Sequence, residues 1–152
     1  MAVSDGTVLL AFMLIDRVDI LVKLTGKITV SSAVKMDMQE ALGSLAPGTE
    51  WPGEEQVEVA FTDVTTPVLR LSEDETLQLA TQRGARVILS DDPVVRATAR
   101  QKDLKVLGTP GILYAASRKG LIDDISSVLD TLERKAYTFG PMVHEELEQR
   151  TG

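Results

Sequence analysis

Polar and apolar positions alternate with two periods along the chain, and the switches between them mark out short strands separated by helices. Lys27-Ile28-Thr29-Val30 and Val57-Glu58-Val59-Ala60-Phe61 alternate as half-buried strands do, with β-branched residues among the apolar ones. Arg86-Val87-Ile88-Leu89-Ser90 is almost continuously apolar, the pattern of a strand covered on both faces. Brief strands are predicted at Val3-Ser4 and Lys105-Val106-Leu107. Thr7 to Val18 is apolar almost all round and predicts one buried helix, with a second helical stretch, Asp19 to Leu24, stopped at Gly26. A helix from Ser32 to about Leu45, with a serine cap, is stopped by Ala46-Pro47-Gly48. Thr49 to Gln56, with Trp51-Pro52-Gly53, reads as the one long surface loop. Ser72-Glu73-Asp74-Glu75 places a capping serine three residues before a glutamate and opens a helix that runs to Gly84. Asp91-Asp92-Pro93 caps the next helix with proline at its first position. Gly108 to Gly111 reads as a turn, and helices are predicted over Ile112 to Lys119, Ser126 to Ala136 and Pro141 to Gln149.

Strands separated by helices imply right-handed crossovers and a three-layer α/β/α arrangement around a mostly parallel central sheet. A length of 152 residues fits a single domain over 1–152, and 43% hydrophobic with 26% charged residues is ordinary globular usage. The chain has no Cys, which excludes disulfides, thiolate metal sites and cysteine nucleophiles. Sixteen Lys and Arg against 23 Asp and Glu leave a net charge of −7, which argues against an all-over basic coat for nucleic acid or membrane. Phosphate can still bind where carboxylates hold a divalent cation. The apolar run Val8 to Ile15 is far shorter than the roughly 20 residues of a spanning helix, and no basic flank precedes it. The expectation is a cytoplasmic protein with no membrane partner.

In open parallel sheets the working crevice lies outside the carboxyl ends of the strands, so the residues directly after each strand carry the candidate chemistry. Here they are acidic. Asp5 follows the first strand, Asp91 and Asp92 follow the strand ending at Leu89, and Glu73 opens a helix at the same edge. Asp37 lies about a turn and a half into the helix after the second strand. Carboxylates gathered this way raise one another's pKa unless a cation sits between them, and Mg²⁺ or Mn²⁺ is the natural occupant. Each acid also has an ordinary reading: Ser72, Glu73 and Glu75 as a capping box, Asp91 and Asp92 as a helix cap, Asp37 as a solvated residue. Asp5 resists that reading, because a charge between a buried strand and an apolar helix is costly unless partnered. Arg96 stands four residues after Asp92, as an ion-pair partner or as a contact for an acidic ligand or phosphate. Arg100, Lys102, Arg118 and Lys119 are either a basic rim or scattered surface charge. His144 reads as a solvated helix residue, and Trp51 as the edge of a core or a stacking platform.

Val3-Ser4-Asp5-Gly6-Thr7 resembles the opening of PIN domains, where an Asp ends the first strand and small hydroxyl residues follow. Leu89-Ser90-Asp91-Asp92 with Arg96 and Ala99, then Val106-Leu107-Gly108-Thr109, Gly111-Ile112-Leu113 and Gly120-Leu121-Ile122, is similar in order and spacing to a prokaryotic PIN-like subfamily related to the VapC toxins. The similarity is strongest from about Leu69 to Ile122 and weakest from Gly43 to Phe61. It implies a metal-dependent nuclease, usually an endoribonuclease, with Mg²⁺ or Mn²⁺ as cofactor and RNA as substrate. By motif position the catalytic acids are Asp5, Asp37, Glu73, Asp91 and Asp92. The metal falls to Asp5, Glu73 and the Asp91-Asp92 pair, with the choice within that pair open. Thr7 and Arg96 are assigned to nucleic-acid contact. Asp37 stands in place of Glu, Gly6 in place of a hydroxyl residue, Ser72 of Gly, Arg70 of Asp and Ser117 of Lys. These departures keep open a second reading, a PIN-like nucleic-acid or protein binding module with impaired catalysis. A receiver-type phosphoacceptor fits less well, since Asp5 is single and Lys105 precedes its strand. The resemblance further implies a homodimer and an antitoxin partner. The apolar series Leu121, Ile125, Val128, Leu129 and Leu132 reads as core by default.

Overall fold

A computed structural model describes residues 1–135. In it β1 (Ala2–Ser4), β2 (Ile28–Ser31), β3 (Val57–Ala60), β4 (Val87–Leu89) and β5 (Val106–Leu107) form one sheet in the order β3-β2-β1-β4-β5. Every pairing is parallel, with Val3 opposite Thr29 on one side and Ile88 on the other. The helices between them are α1 (Gly6–Leu14), α2 (Val18–Thr25), α3 (Ser32–Leu45), α4 (Leu71–Arg83) and α5 (Pro93–Gln101), and α6 (Thr109–Arg118) and α7 (Ile125–Arg134) follow β5.

Successive strand residues point to opposite faces, and the core divides accordingly. Ala2, Ile28, Val30 and Leu89 pack with α1, α2, α3, α6 and α7. Val3 and Ile88 pack with Leu77, Leu79 and Ala80 of α4 and Val95 and Ala99 of α5. This is the expected three-layer α/β/α fold, and all five strands run parallel. Leu9 and Phe12 of α1 are fully buried, each worth about 1.5–3 kcal/mol of apolar burial. Ile125, Leu129 and Leu132 of α7 are buried in the same cluster, so that apolar series is core. The chain winds from β1 outward through β2 and β3, then returns to the other side of β1 for β4 and β5. The winding reverses between β1 and β4, where such sheets leave a crevice at their carboxyl edge.

Several local readings change. The buried helix expected over Thr7 to Val18 ends at Leu14, and α2 starts at Val18. Asp16 takes a left-handed conformation (φ 55°), its amide donating to Met13 O at 3.0 Å and the Arg17 amide to Phe12 O at 2.8 Å. Such a pair of bonds closes a helix, usually around glycine, and aspartate is one of the few side chains that tolerates the position. The capping serine of α3 is Ser31, whose Oγ accepts from the Val34 amide at 3.0 Å. Ser72 is not a cap: α4 already begins at Leu71, with Arg70 at the cap position making no side-chain bond. Asp74 secures that end instead, its carboxylate accepting from the Val68 and Leu69 amides at 3.0 Å. Glu75 leaves its own helix to accept from the Ala33 amide at 3.3 Å, at the start of α3. The turn expected over Gly108 to Gly111 is absorbed into α6, which begins at Thr109. Ala136, the helix expected over Pro141 to Gln149, and His144 lie outside the described residues. Among the described residues no helix is long and apolar enough to cross a membrane.

Candidate functional site

At the carboxyl edge of the sheet, a cavity of about 230 Å³ opens between α1, α3 and the first turn of α4. Val34, Asp37, Met38 and Ala41 face it from α3, a spacing of three and four residues that keeps them on one side of the helix. Gly6 brings the start of α1 close to that helix, since a Cβ there would stand 3.3 Å from Met38 Cγ. Asp5, Asp37, Glu73 and Asp92, from four separate stretches of chain, all line this cavity, together with Thr7, Arg70 and Ser72.

Asp5 is the most buried of the four acids, 5% exposed, between β1 and α1. Its Oδ1 accepts from the Thr7 amide at 2.9 Å and from Thr7 Oγ1 at 2.6 Å, and its Oδ2 accepts a short bond from Ser90 Oγ. Each hydroxyl in turn accepts from the loop after β4: Thr7 Oγ1 from the Asp91 amide at 2.7 Å, Ser90 Oγ from the Asp92 amide at 3.0 Å. Asp5 is thereby bonded to both sides of the winding reversal. Burial pushes its carboxyl up to about 6, outweighing the bonds from Ser90 and Thr7 that favour the charged form, and the negative charge of Asp91 pushes the same way.

The adjacent aspartates after β4 face different ways. Asp92 caps α5 with Oδ1, accepting from the Val94 amide at 2.8 Å and the Val95 amide at 3.2 Å, and lines the cavity. Asp91 does not line it; its carboxylate turns to the start of α6, accepting from the Thr109 amide at 2.6 Å and Thr109 Oγ1 at 2.5 Å. Arg96 also stays off the cavity wall, its Nη1 donating to the Ser90 carbonyl at 3.0 Å. No ion pair joins Asp92 to Arg96; Arg17–Asp19, Lys23–Asp19 and Arg83–Glu58 are ion pairs of the described residues. Gly108 leaves room where Asp91 and Arg96 meet, because a Cβ there would lie 2.7 Å from Asp91 Oδ1 and from Arg96 Nη1 and would push those side chains aside.

The other candidates fall elsewhere. Arg100 and Lys102 end α5, and Arg118 and Lys119 end α6, helices that run away from the carboxyl edge, so they form no rim on the crevice. Trp51 packs against the core, with Lys35 Nζ 5.3 Å from its ring centre. Ser90, Arg70 and Thr109 were not singled out as site residues by the sequence pattern. Ser90 is visible as a hydroxyl closing an otherwise apolar strand, Thr109 only as part of a run similar to the PIN-like subfamily, and Arg70 only as a departure from the Asp common there.

Hard carboxylate oxygens from four elements, with two hydroxyls beside them, are the donor set that suits Mg²⁺ or Mn²⁺. Among the described residues no three carboxylate or imidazole groups converge closely enough to form one ligand cluster; the acids stand around the cavity. A family model described as a PIN domain matches residues 1–152. A comparison with curated proteins finds none that matches.

Proposed function

The chain belongs to the PIN-domain family, whose members are generally nucleases and usually use divalent metals, and from that premise we propose that it is a divalent-metal-dependent endoribonuclease. The observation that carries this reading is the common cavity of Asp5, Asp37, Glu73 and Asp92 at the winding reversal of the sheet. Asp5, Glu73 and Asp92 would hold the ion, with Asp37 as a fourth acid through water. A bound Mg²⁺ or Mn²⁺ supplies neutralisation of phosphoryl charge and a more acidic water for attack on phosphorus. Thr7 and Ser90 hold the Asp5 carboxylate in one orientation, so its oxygens need no rearrangement when a cation arrives. Asp91 takes a positioning role in this reading: by tying the α6 start to the β4 loop, it sets where Asp92 stands. Arg96 ties the same loop through the Ser90 carbonyl.

Purified protein with Mn²⁺ or Mg²⁺ should cut single-stranded RNA, chelation should stop it, and Asp5→Asn should abolish it; cutting that persists in the variant would defeat the assignment. A binding module with impaired catalysis is the second reading, favoured by the absence of a three-acid cluster among the described residues. Retained RNA binding with no Mn²⁺ response in calorimetry or thermal shift would select it. The nuclease reading extends, through the resemblance to VapC toxins, to a cytoplasmic toxin in which residues 1–152 form one domain, which pairs as a homodimer and is held in check by an antitoxin protein. Sedimentation as a monomer at working concentration would remove the dimer.

A further inference from the structure

Among the described residues, Arg70 is the one basic side chain on the wall of the acidic cavity, and none of their ion pairs involves it. An arginine facing four carboxylates would be expected to neutralise one of them; this one is exposed and does not. Its backbone is fixed. The carboxylate of Asp74 accepts from the amides of Val68 and Leu69 just before it, and the Asp74 amide donates to the Arg70 carbonyl at 2.9 Å. The guanidinium therefore projects from a pinned anchor at the start of α4, where the helix dipole adds partial positive charge. A planar fork of donors suits two oxygens of one phosphate, and among the described residues a phosphate approaching this cavity meets no other cationic side chain on its wall.

We infer that Arg70 is the phosphate-binding residue of this cavity, gripping the phosphodiester that the acids would act on; the inference rests on the nuclease reading. The bond it makes is to substrate alone, so it contributes to RNA affinity and not to holding the metal.

The test measures binding of a fluorescent single-stranded oligoribonucleotide in Ca²⁺ across a salt series, cleavage in Mn²⁺, and Mn²⁺ affinity by calorimetry. Arg70→Met lowers RNA affinity by roughly tenfold or more, the size of a lost charge-assisted bond, and flattens the log affinity against log salt slope by about 0.7. Arg70→Lys keeps the slope but not the affinity, because it keeps the charge and loses the fork. Neither variant weakens Mn²⁺ binding, and both keep the thermal stability of the parent. If the parent protein binds and cuts RNA and Arg70→Met does both equally well, Arg70 is solvated surface and the inference is overturned while the nuclease reading stands. Tighter Mn²⁺ binding in Arg70→Met with unchanged RNA affinity makes Arg70 a counter-ion for the acids and also overturns it. Should the parent neither bind nor cut RNA, the nuclease reading itself fails, and the inference with it.

Discussion

Two aspartates at opposite ends of α1 live under opposite electrostatics. Asp19, just beyond its carboxyl end in α2, sits between Arg17 at 3.0 Å and Lys23 at 3.3 Å, and the hydrogen bond from Arg17 holds its carboxyl below the usual range. Asp5, at the amino end, is buried, is served by hydroxyls and an amide and not by a cation, and is pushed up to about 6. The first arrangement is a surface pair that favours the folded chain slightly. The second is a buried charge that folding disfavours, and a cation in the adjoining cavity would relieve it. Catalytic and binding groups are expected to be of this second kind.

Replacing Asp5 breaks the comparison most sharply. Asp5→Asn loses RNA cleavage and Mn²⁺ binding by roughly 100-fold or more, as read by cleavage assay and calorimetry. The same change stabilises the metal-free protein at neutral pH. With the folded pKa raised from 3.8 to about 6, the folded state binds more protons than the unfolded state between those values, so the carboxyl's contribution to stability falls as pH rises through that window. The penalty is absent below the lower value and complete above the upper one. Urea denaturation from pH 4 to 7 should show the variant gaining on the parent by up to about 3 kcal/mol at the upper end. A constant difference between the two across that range would contradict it.

The next effects separate the neighbours after β4. Asp91→Ala leaves the Thr109 amide at the α6 start unbonded and lowers stability by about 1–2 kcal/mol, measured by urea midpoint, with Mn²⁺ affinity little changed. Asp92→Asn keeps a good cap for α5 and alters stability little, yet weakens Mn²⁺ binding about tenfold or more. The reverse pattern would make Asp91 the ligand. Smallest is Asp19→Asn: its shift counts for little at a partly exposed pair, so the loss is under about 1 kcal/mol and fades in high salt. Because its pKa is lowered, the Asp19 contribution is present at neutral pH and disappears as acid protonates it, opposite in sign to Asp5.

What could be read from the sequence follows the reach of the signals. The apolar strand at Val87–Leu89 and the strands separated by helices gave the sheet, since they depend on burial that any parallel arrangement imposes. Asp5 stood out for the same reason, as a charge where burial was already implied. The break after Leu14 was hidden because aspartate, not glycine, takes the left-handed turn at Asp16. The capping box at Ser72 failed because Asp74 reaches back to two amides, while Glu75 serves another helix 42 positions away in sequence. The opposed directions of Asp91 and Asp92 depend on where α6 docks, which no local spacing encodes. Arg70 became a candidate only once the fold set it beside acids from three other stretches of chain.

Calorimetric titration of the parent protein with Mn²⁺ at pH 7, beside Asp5→Asn, tests most directly whether the acidic cavity is a cation site. The parent should bind in the micromolar range and gain about 2.7 kcal/mol of stability at a hundredfold excess over its dissociation constant, and the variant should do neither. No heat and no thermal shift in the parent, or equal responses from both proteins, would contradict the cavity's role as a metal site.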